Sequence, residues 1–311
     1  MSFSSNIKNE ISKYVCTKPE MISELSGIIR TNSFYSLDKI SLITENASVS
    51  RRIYTLFKEL YGIAIKVEAH KNNTFNKNSI YIIEVVEKVE FILKDLSVIG
   101  EDNTYLPKPL EYIIGEEEEI RSYLRGVFLA KGSINDPKTS RYHLEILVDW
   151  ENEANNIADL LNSFSLNSKI INREKGYMVY IKEAEKISDF LRIISASIAV
   201  MYFEDIRIYR DHKNMTNRLN NCEQANIDKI IETANNQINY INKIKDIMGL
   251  DILDDKLKEA SLYRLKYPDA SLFELSNIIT IETGNKITKP GLSHRFKKIE
   301  EFSNKLKESE K

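Results

Sequence analysis

The sequence predicts an α+β domain in which one supersecondary unit is written twice, followed by an all-α domain that ends in a helix-turn-helix. Three observations predict it. The order of apolar helical and extended segments repeats over roughly the first 200 residues. Gly27 and Gly126 stand at matching places in the two opening apolar helices. From Glu204 onward the chain turns polar and then helical. These shifts divide it into a duplicated domain over 1–203, a polar basic linker over 204–222 and a helical domain over 223–311.

In the first copy, Met21, Ile22, Leu25, Ile28 and Ile29 recur at helical spacing, and 39–43 reads as extended. A helix through Val49, Ile53, Leu56, Phe57 and Leu60 follows, then strands over 64–69 and 79–86. Val89, Ile92, Leu93 and Leu96 mark a closing helix. The second copy keeps this order: a helix over 120–130, a strand over 142–148, a helix over 154–164, strands over 168–171 and 177–181, and a last helix through Ile187, Leu191 and Ile194. Each copy is therefore read as an αββαββα unit. A glycine inside a helix costs about 1 kcal/mol relative to alanine. Two at matching positions among large apolar residues predict helices that approach backbone to backbone, with the two sheets forming a saddle around them.

The linker holds Arg207, Arg210, His212, Lys213 and Arg218 among asparagines. A helix over 223–248 carries Ile227, Ile230, Ile231, Ala234, Ile238, Ile241, Ile244 and Met248 as one stripe, and Gly249 is placed to end it. A helix over 254–266 stops before Pro268. Ser271-Leu272-Phe273-Glu274 is a capping-box pattern opening a short helix. Beyond Gly284, Thr288 is placed as an N-cap with Pro290 in the first turn. The helix that follows buries Leu292, Phe296, Ile299 and Leu306.

Net charge is only −2, so nucleic-acid affinity has to come from a local basic surface. The last helix supplies one. Its outer face carries Lys289, Ser293, His294, Lys297 and Lys298, with Arg295 beside it. A short helix followed by one with a buried stripe and a basic outer face suits insertion into a major groove. The candidate DNA-binding residues are Ser271, Thr288, Lys289, Pro290, Gly291, Ser293, His294, Arg295, Lys297 and Lys298. Arg51, Arg52, Lys131, Lys138, Arg210 and Arg218 are candidates for secondary backbone contacts.

Other chemistries lack their signatures. No run of about 18 apolar residues marks a membrane span. The N-terminal residues carry no basic flank leading into an apolar stretch, so the expected setting is the cytoplasm and the nucleoid. Cys16 and Cys222 have no Cys or His at metal-ligand spacing. There is no phosphate-cradling glycine loop, and His70 and His143 stand singly. No cofactor, metal or small-molecule substrate is expected.

Several stretches carry a resemblance that spans essentially the whole chain: Met1-Ser2-Phe3-Ser4-Ser5, YLRGVFLAKGS from Tyr123, RLNNCEQAN from Arg218, YPDASL from Tyr267 and GLSHRF from Gly291. On these the sequence resembles the WhiA proteins, bacterial regulators of sporulation and cell division. The resemblance implies a first domain similar to LAGLIDADG homing endonucleases and a C-terminal helix-turn-helix similar to sigma-factor region 4. It also implies sequence-specific DNA binding and a role in cell division and chromosome segregation. Double-stranded DNA is the expected partner, with RNA polymerase or another transcription factor a further candidate.

Active homing endonucleases place an acid near the end of each signature helix, where the pair holds divalent metal over the scissile phosphates. Hard cations need such oxygen ligands. Aligning on Leu25-Ser26-Gly27 and Leu124-Arg125-Gly126 puts Asn32 and Lys131 at those positions. An amide is a poor replacement and an ammonium repels the cation, so a transcriptional regulator without nuclease activity is the expectation. A metal-dependent endonuclease and an adaptor for the division or transcription machinery are the alternatives.

Overall fold

The computed structural model describes residues 2–71, 79–139 and 141–308. The chain divides into two compact units, 1–210 and 211–311. Helix α1 (Phe3–Ile11) opens the first unit, capped by the Ser2 hydroxyl, which accepts from the Ser5 N–H. The first copy then runs α2 (Lys18–Asn32), β1 (Ser33–Tyr35), β2 (Ile40–Thr44), α3 (Ala47–Tyr61), β3 (Lys66–Lys71), β4 (Ser79–Val85) and α4 (Val89–Asp95). After the short helix α5 (Glu111–Ile114), the second copy runs α6 (Glu117–Lys131), β5 (Gly132–Ile134), β6 (Leu144–Val148), α7 (Glu151–Ser163), β7 (Lys169–Arg173), β8 (Gly176–Ile181) and α8 (Ala184–Ile193). The two antiparallel sheets have matching orders, β1-β2-β4-β3 and β5-β6-β8-β7. This is the duplicated αββαββα pattern. The three-residue strands β1 and β5 lie outside the segments read as extended. Each continues directly from a helix and is too short to show an alternation of its own.

The glycine pair does what its spacing predicts. A Cβ on Gly27 would lie 2.4 Å from the Tyr123 carbonyl oxygen, and one on Gly126 would lie 2.0 Å from the Glu24 carbonyl oxygen. Residues 27 and 24 are thus matched by 126 and 123, so α2 and α6 meet through equivalent surfaces. Around this seam one core gathers Leu25, Ile28 and Ile29 with Leu124, Val127 and Phe128, all fully or almost fully buried. Alternation places Ile40, Leu42, Ile83 and Val85 of the first sheet, and Leu144, Ile146, Val179 and Ile181 of the second, on the inner faces.

Two buried polar clusters flank the seam. Glu24 accepts from Arg52 Nε at 2.7 Å and faces Arg125 Nε at 3.4 Å, while Arg52 Nη2 lies 3.0 Å from Cys16 Sγ. Glu153 pairs with Arg30 and accepts from the Tyr105 hydroxyl. Breaking such a pair leaves an uncompensated charge in the interior, a cost of about 3–5 kcal/mol.

The segment 204–222, read as a linker, is helical throughout. It lies inside α9 (Ser197–Met248), within which the boundary between the units falls. Asparagine and charge content suggested a connector, but neither residue type forbids a helix, and no Gly or Pro interrupts 197–248. Of the apolar stripe expected over 223–248, only Ala234, Ile241 and Ile244 are buried, with Gln237 buried beside them, and Met248 at its end is exposed. Ile227 and Ile231 are exposed.

The second unit packs the end of α9 with α10 (Asp255–Lys266), α11 (Leu272–Thr283) and α12 (Lys289–Glu308). Its core is Ile241, Ile244, Leu253, Ala260, Leu275, Ile279, Leu292, Phe296 and Ile299.

Candidate nucleic-acid interface

Local chemistry sets the ends of α11 and α12. Ser271 Oγ accepts from the Glu274 N–H at 3.2 Å while the Glu274 carboxylate accepts from the Ser271 N–H at 2.8 Å, completing the capping box. Gly284 ends α11 with φ of +73°, a left-handed conformation suited to glycine. Thr280 ties the turn down: its hydroxyl accepts from the Ile287 N–H at 3.1 Å. Thr288 Oγ1 accepts from the Gly291 N–H at 3.3 Å, so α12 begins where its threonine and proline predict.

Helical geometry turns each residue by about 100°, which sorts the side chains of α12. Leu292, Phe296, Ile299 and Ser303 form the buried line. Leu306, expected to extend it, is only partly buried. Lys289, Pro290, Gly291, Ser293, His294, Lys297 and Lys298 are all exposed, as is Thr288 just before them. The structure therefore brings together most of the residues read as a DNA surface.

Arg295 departs from that reading. Its side chain is 20% exposed; Nη1 lies 2.8 Å from Glu259 Oε2 and 3.2 Å from the Lys256 carbonyl, both on α10. The reason is angular: residue 295 falls on the flank between the buried line and the open face, where α10 is within reach. Sequence periodicity shows the flank but not the carboxylate waiting there.

The secondary candidates separate in the same way. Arg52 is 8% exposed and engaged with Glu24, Cys16 and the Tyr14 carbonyl, so it offers no surface for DNA. Arg210 Nη1 donates to the Pro137 and Thr139 carbonyls, and its guanidinium lies over the Tyr142 ring. Arg51, Lys138 and Arg218 are exposed, with Lys138 over the Tyr202 ring.

Asn32 and Lys131 are the final residues of α2 and α6, the positions at which a nuclease would present its acids. Asn32 Nδ2 donates to the Ile43 carbonyl at 2.9 Å. Lys131 has a like-charged neighbour: burial and then Lys131 push the Lys8 ammonium down to about 8. The end of α6 thus gathers two lysine side chains.

Residue reading alone missed Arg264, which is 1% exposed and joins α9, α10 and the 267–270 loop. Its signal was present in the spacing: it follows Ala260 by four residues on the buried side of α10.

Three family models match nearly consecutive parts of the chain. The WhiA N-terminal LAGLIDADG-like domain matches residues 18–99, the WhiA LAGLIDADG-like domain residues 120–213, and the WhiA C-terminal HTH domain residues 216–303. A "Probable cell division protein WhiA" from Bacillus cytotoxicus is 44% identical over 314 residues, covering 100% of this chain and 98% of that protein. The chain belongs to the WhiA family. A second WhiA protein so described, from Exiguobacterium sibiricum, is 40% identical over 315 residues with the same coverage. Among solved structures, full-length DUF199/WhiA from Thermatoga maritima is similar with a TM-score of 0.59 and 25% identity, covering 98% of this chain and 99% of that one. The N-terminal LAGLIDADG domain of DUF199/WhiA gives a TM-score of 0.50 at 26% identity, over 62% of this chain and 90% of that one. The WhiA assignment thus rests on both halves of the chain, and its HTH model covers the unit that holds α11 and α12.

Proposed function

We propose that this WhiA protein is a sequence-specific regulator of transcription that acts in cell division, chromosome segregation and sporulation control without cutting DNA. The observation that carries the reading is the open basic face of α12, opposite the buried line of Leu292, Phe296 and Ile299. Lys289, Lys297 and Lys298 are placed to neutralise backbone phosphates, and Ser293 and His294 to meet base edges. The WhiA HTH match supports this role, and the names of the relatives support the link to cell division. An amide at position 32 and an ammonium at 131, with Lys8 beside it, oppose metal-assisted cleavage.

Arg51 and Lys138 in the first unit, and Arg218 in the second, remain the secondary backbone candidates. An adaptor role for the first unit is favoured by a different observation. Register puts Ile43 beside Ile82, with Glu68 beyond, on the outward face of the first sheet, and Leu147 and Ile171 on either side of the buried Met178 on that of the second. Phe34, also on an open face, is 74% exposed. Apolar side chains on these faces suit a polypeptide partner such as RNA polymerase or a transcription factor better than a phosphate backbone.

Selection of binding sites from random duplexes with the full chain tests the regulator reading. A recovered consensus, lost on replacing Lys297 and Lys298 by alanine, is expected. Failure to enrich any sequence, or nicking of supercoiled plasmid above background with magnesium or manganese, overturns it.

A further inference from the structure

Beside the basic face of α12, the second unit has a cleft of about 340 Å³, lined among others by Lys229 and Thr233 of α9, Arg264 of α10, Ser271 and Phe273 at the start of α11, and Lys289 of α12. Three cations thus converge from three helices. The first turn of α11 adds the N–H groups of Leu272 and Phe273, which have no intrahelical acceptor, and the positive end of a 12-residue helix.

Arg264 is the independent clue. It is 1% exposed, and every hydrogen bond it makes among the described residues goes to a neutral group. Nε donates to Gln237 Oε1 at 3.0 Å, and Nη1 donates to the carbonyls of Tyr267, Pro268 and Ala270 at 3.3, 3.4 and 2.6 Å. Arg264 makes no ion pair with a carboxylate among the described residues; besides these neutral acceptors its guanidinium meets only the Phe296 ring there, 5.5 Å from the ring centroid. Buried charges are ordinarily paired, because desolvation of a lone ion is costly. Burial holds this guanidinium below the usual arginine value, the direction expected of a cation lacking its counter-charge. The capping carboxylate of α11, Glu274, is occupied with the Ser271 N–H.

We propose that this cleft is a phosphate cradle in which Lys229, Lys289, Arg264 and the first N–H groups of α11 hold one phosphate of the DNA backbone. The proposal rests on the DNA-binding reading above and adds a fixed anchor to it. An anion seated between α9, α11 and the first residue of α12 sets how far, and at what angle, α12 enters the groove. Lys229, 60 residues before Lys289, enters the interface only through this cleft.

The test uses the full chain, the selected operator, and duplexes carrying a neutral methylphosphonate at one position at a time. Wild type is compared with the double variant Lys229→Gln/Lys289→Gln, whose replaced side chains are exposed and outside the core. One phosphate position is expected at which neutralisation weakens wild type about tenfold and the variant no further. The variant's dependence of log affinity on log salt should be shallower by about 1 on operator and unrelated duplex alike. Equal losses for both proteins at every position, or an unchanged slope, overturn the cradle. A wild type without affinity for any duplex overturns the groove reading and the cradle together, whereas an indifferent variant beside a DNA-binding wild type overturns the cradle alone. If the variant binds duplex normally while inorganic phosphate at constant ionic strength raises the Tm of wild type only, the cleft takes a free phosphate and the DNA assignment is overturned.

Discussion

Gly126 leaves no room for a single methyl group. Its Cβ would meet the backbone of Glu24 at 2.0 Å, and neither helix can move without separating a continuous core. Gly126→Ala should therefore destabilise the first unit by about 1–3 kcal/mol or more through overpacking, read as a lower denaturation midpoint. An unchanged midpoint would show that the seam is looser than its geometry. Lys8 gives a pH-dependent case. Its ammonium is pushed from the ordinary 10.5 down to about 8, first by burial and then by Lys131. Below pH 8 the folded and unfolded chains both carry the proton; between 8 and 10.5 the unfolded chain binds more protons, so stability rises with pH across that window. Lys8→Met should remove this rise, which urea midpoints measured at pH 7 and 9.5 will show. A wild-type difference that persists in the variant would assign the rise to another group.

At the scale of elements, α12 shows how far residue type and periodicity reach. Spacing alone separates Leu292, Phe296 and Ile299 from Lys289, Lys297 and Lys298, because one helical turn repeats on every face. It sets Arg295 on the flank and Lys297 on the open face, but it does not show that the flank meets Glu259, which is on another helix. The two alanine variants should therefore behave differently. Lys297→Ala should weaken DNA binding and make its salt dependence shallower, whereas Arg295→Ala should leave the salt slope unchanged and lower the thermal midpoint slightly, by the modest amount expected of a partly exposed ion pair. Equal losses of DNA affinity and salt slope in both variants would return Arg295 to the interface. Strands β1 and β5 and the helical 204–222 segment were hidden for a related reason. Three residues are too few for an alternation, and the asparagines of 204–222 resemble a connector in composition while still permitting a helix.

For the whole molecule, the two hydrophobic clusters share no residue: the first ends with Phe203 and the second begins with Ile241. Each unit thus has its own source of cooperativity, and the chain should unfold in two transitions rather than one. Gly126→Ala should shift one of them, and Phe296→Ala, which empties a buried site in the second unit, should shift the other by about 3–5 kcal/mol. A single transition moved by both variants would mean that the units unfold as one. The duplicated order of elements, the paired glycines and the buried line of α12 were all legible in the chain, because backbone periodicity and steric size act between near neighbours and leave a pattern in residue order. The engagement of Arg52 by Glu24, the diversion of Arg295 to Glu259 and the convergence of Lys229, Arg264 and Lys289 on one cleft were not legible. Those pairings join residues 28, 36 and up to 60 positions apart, and charge neutralisation depends on separation in space, which exists only once the helices have packed.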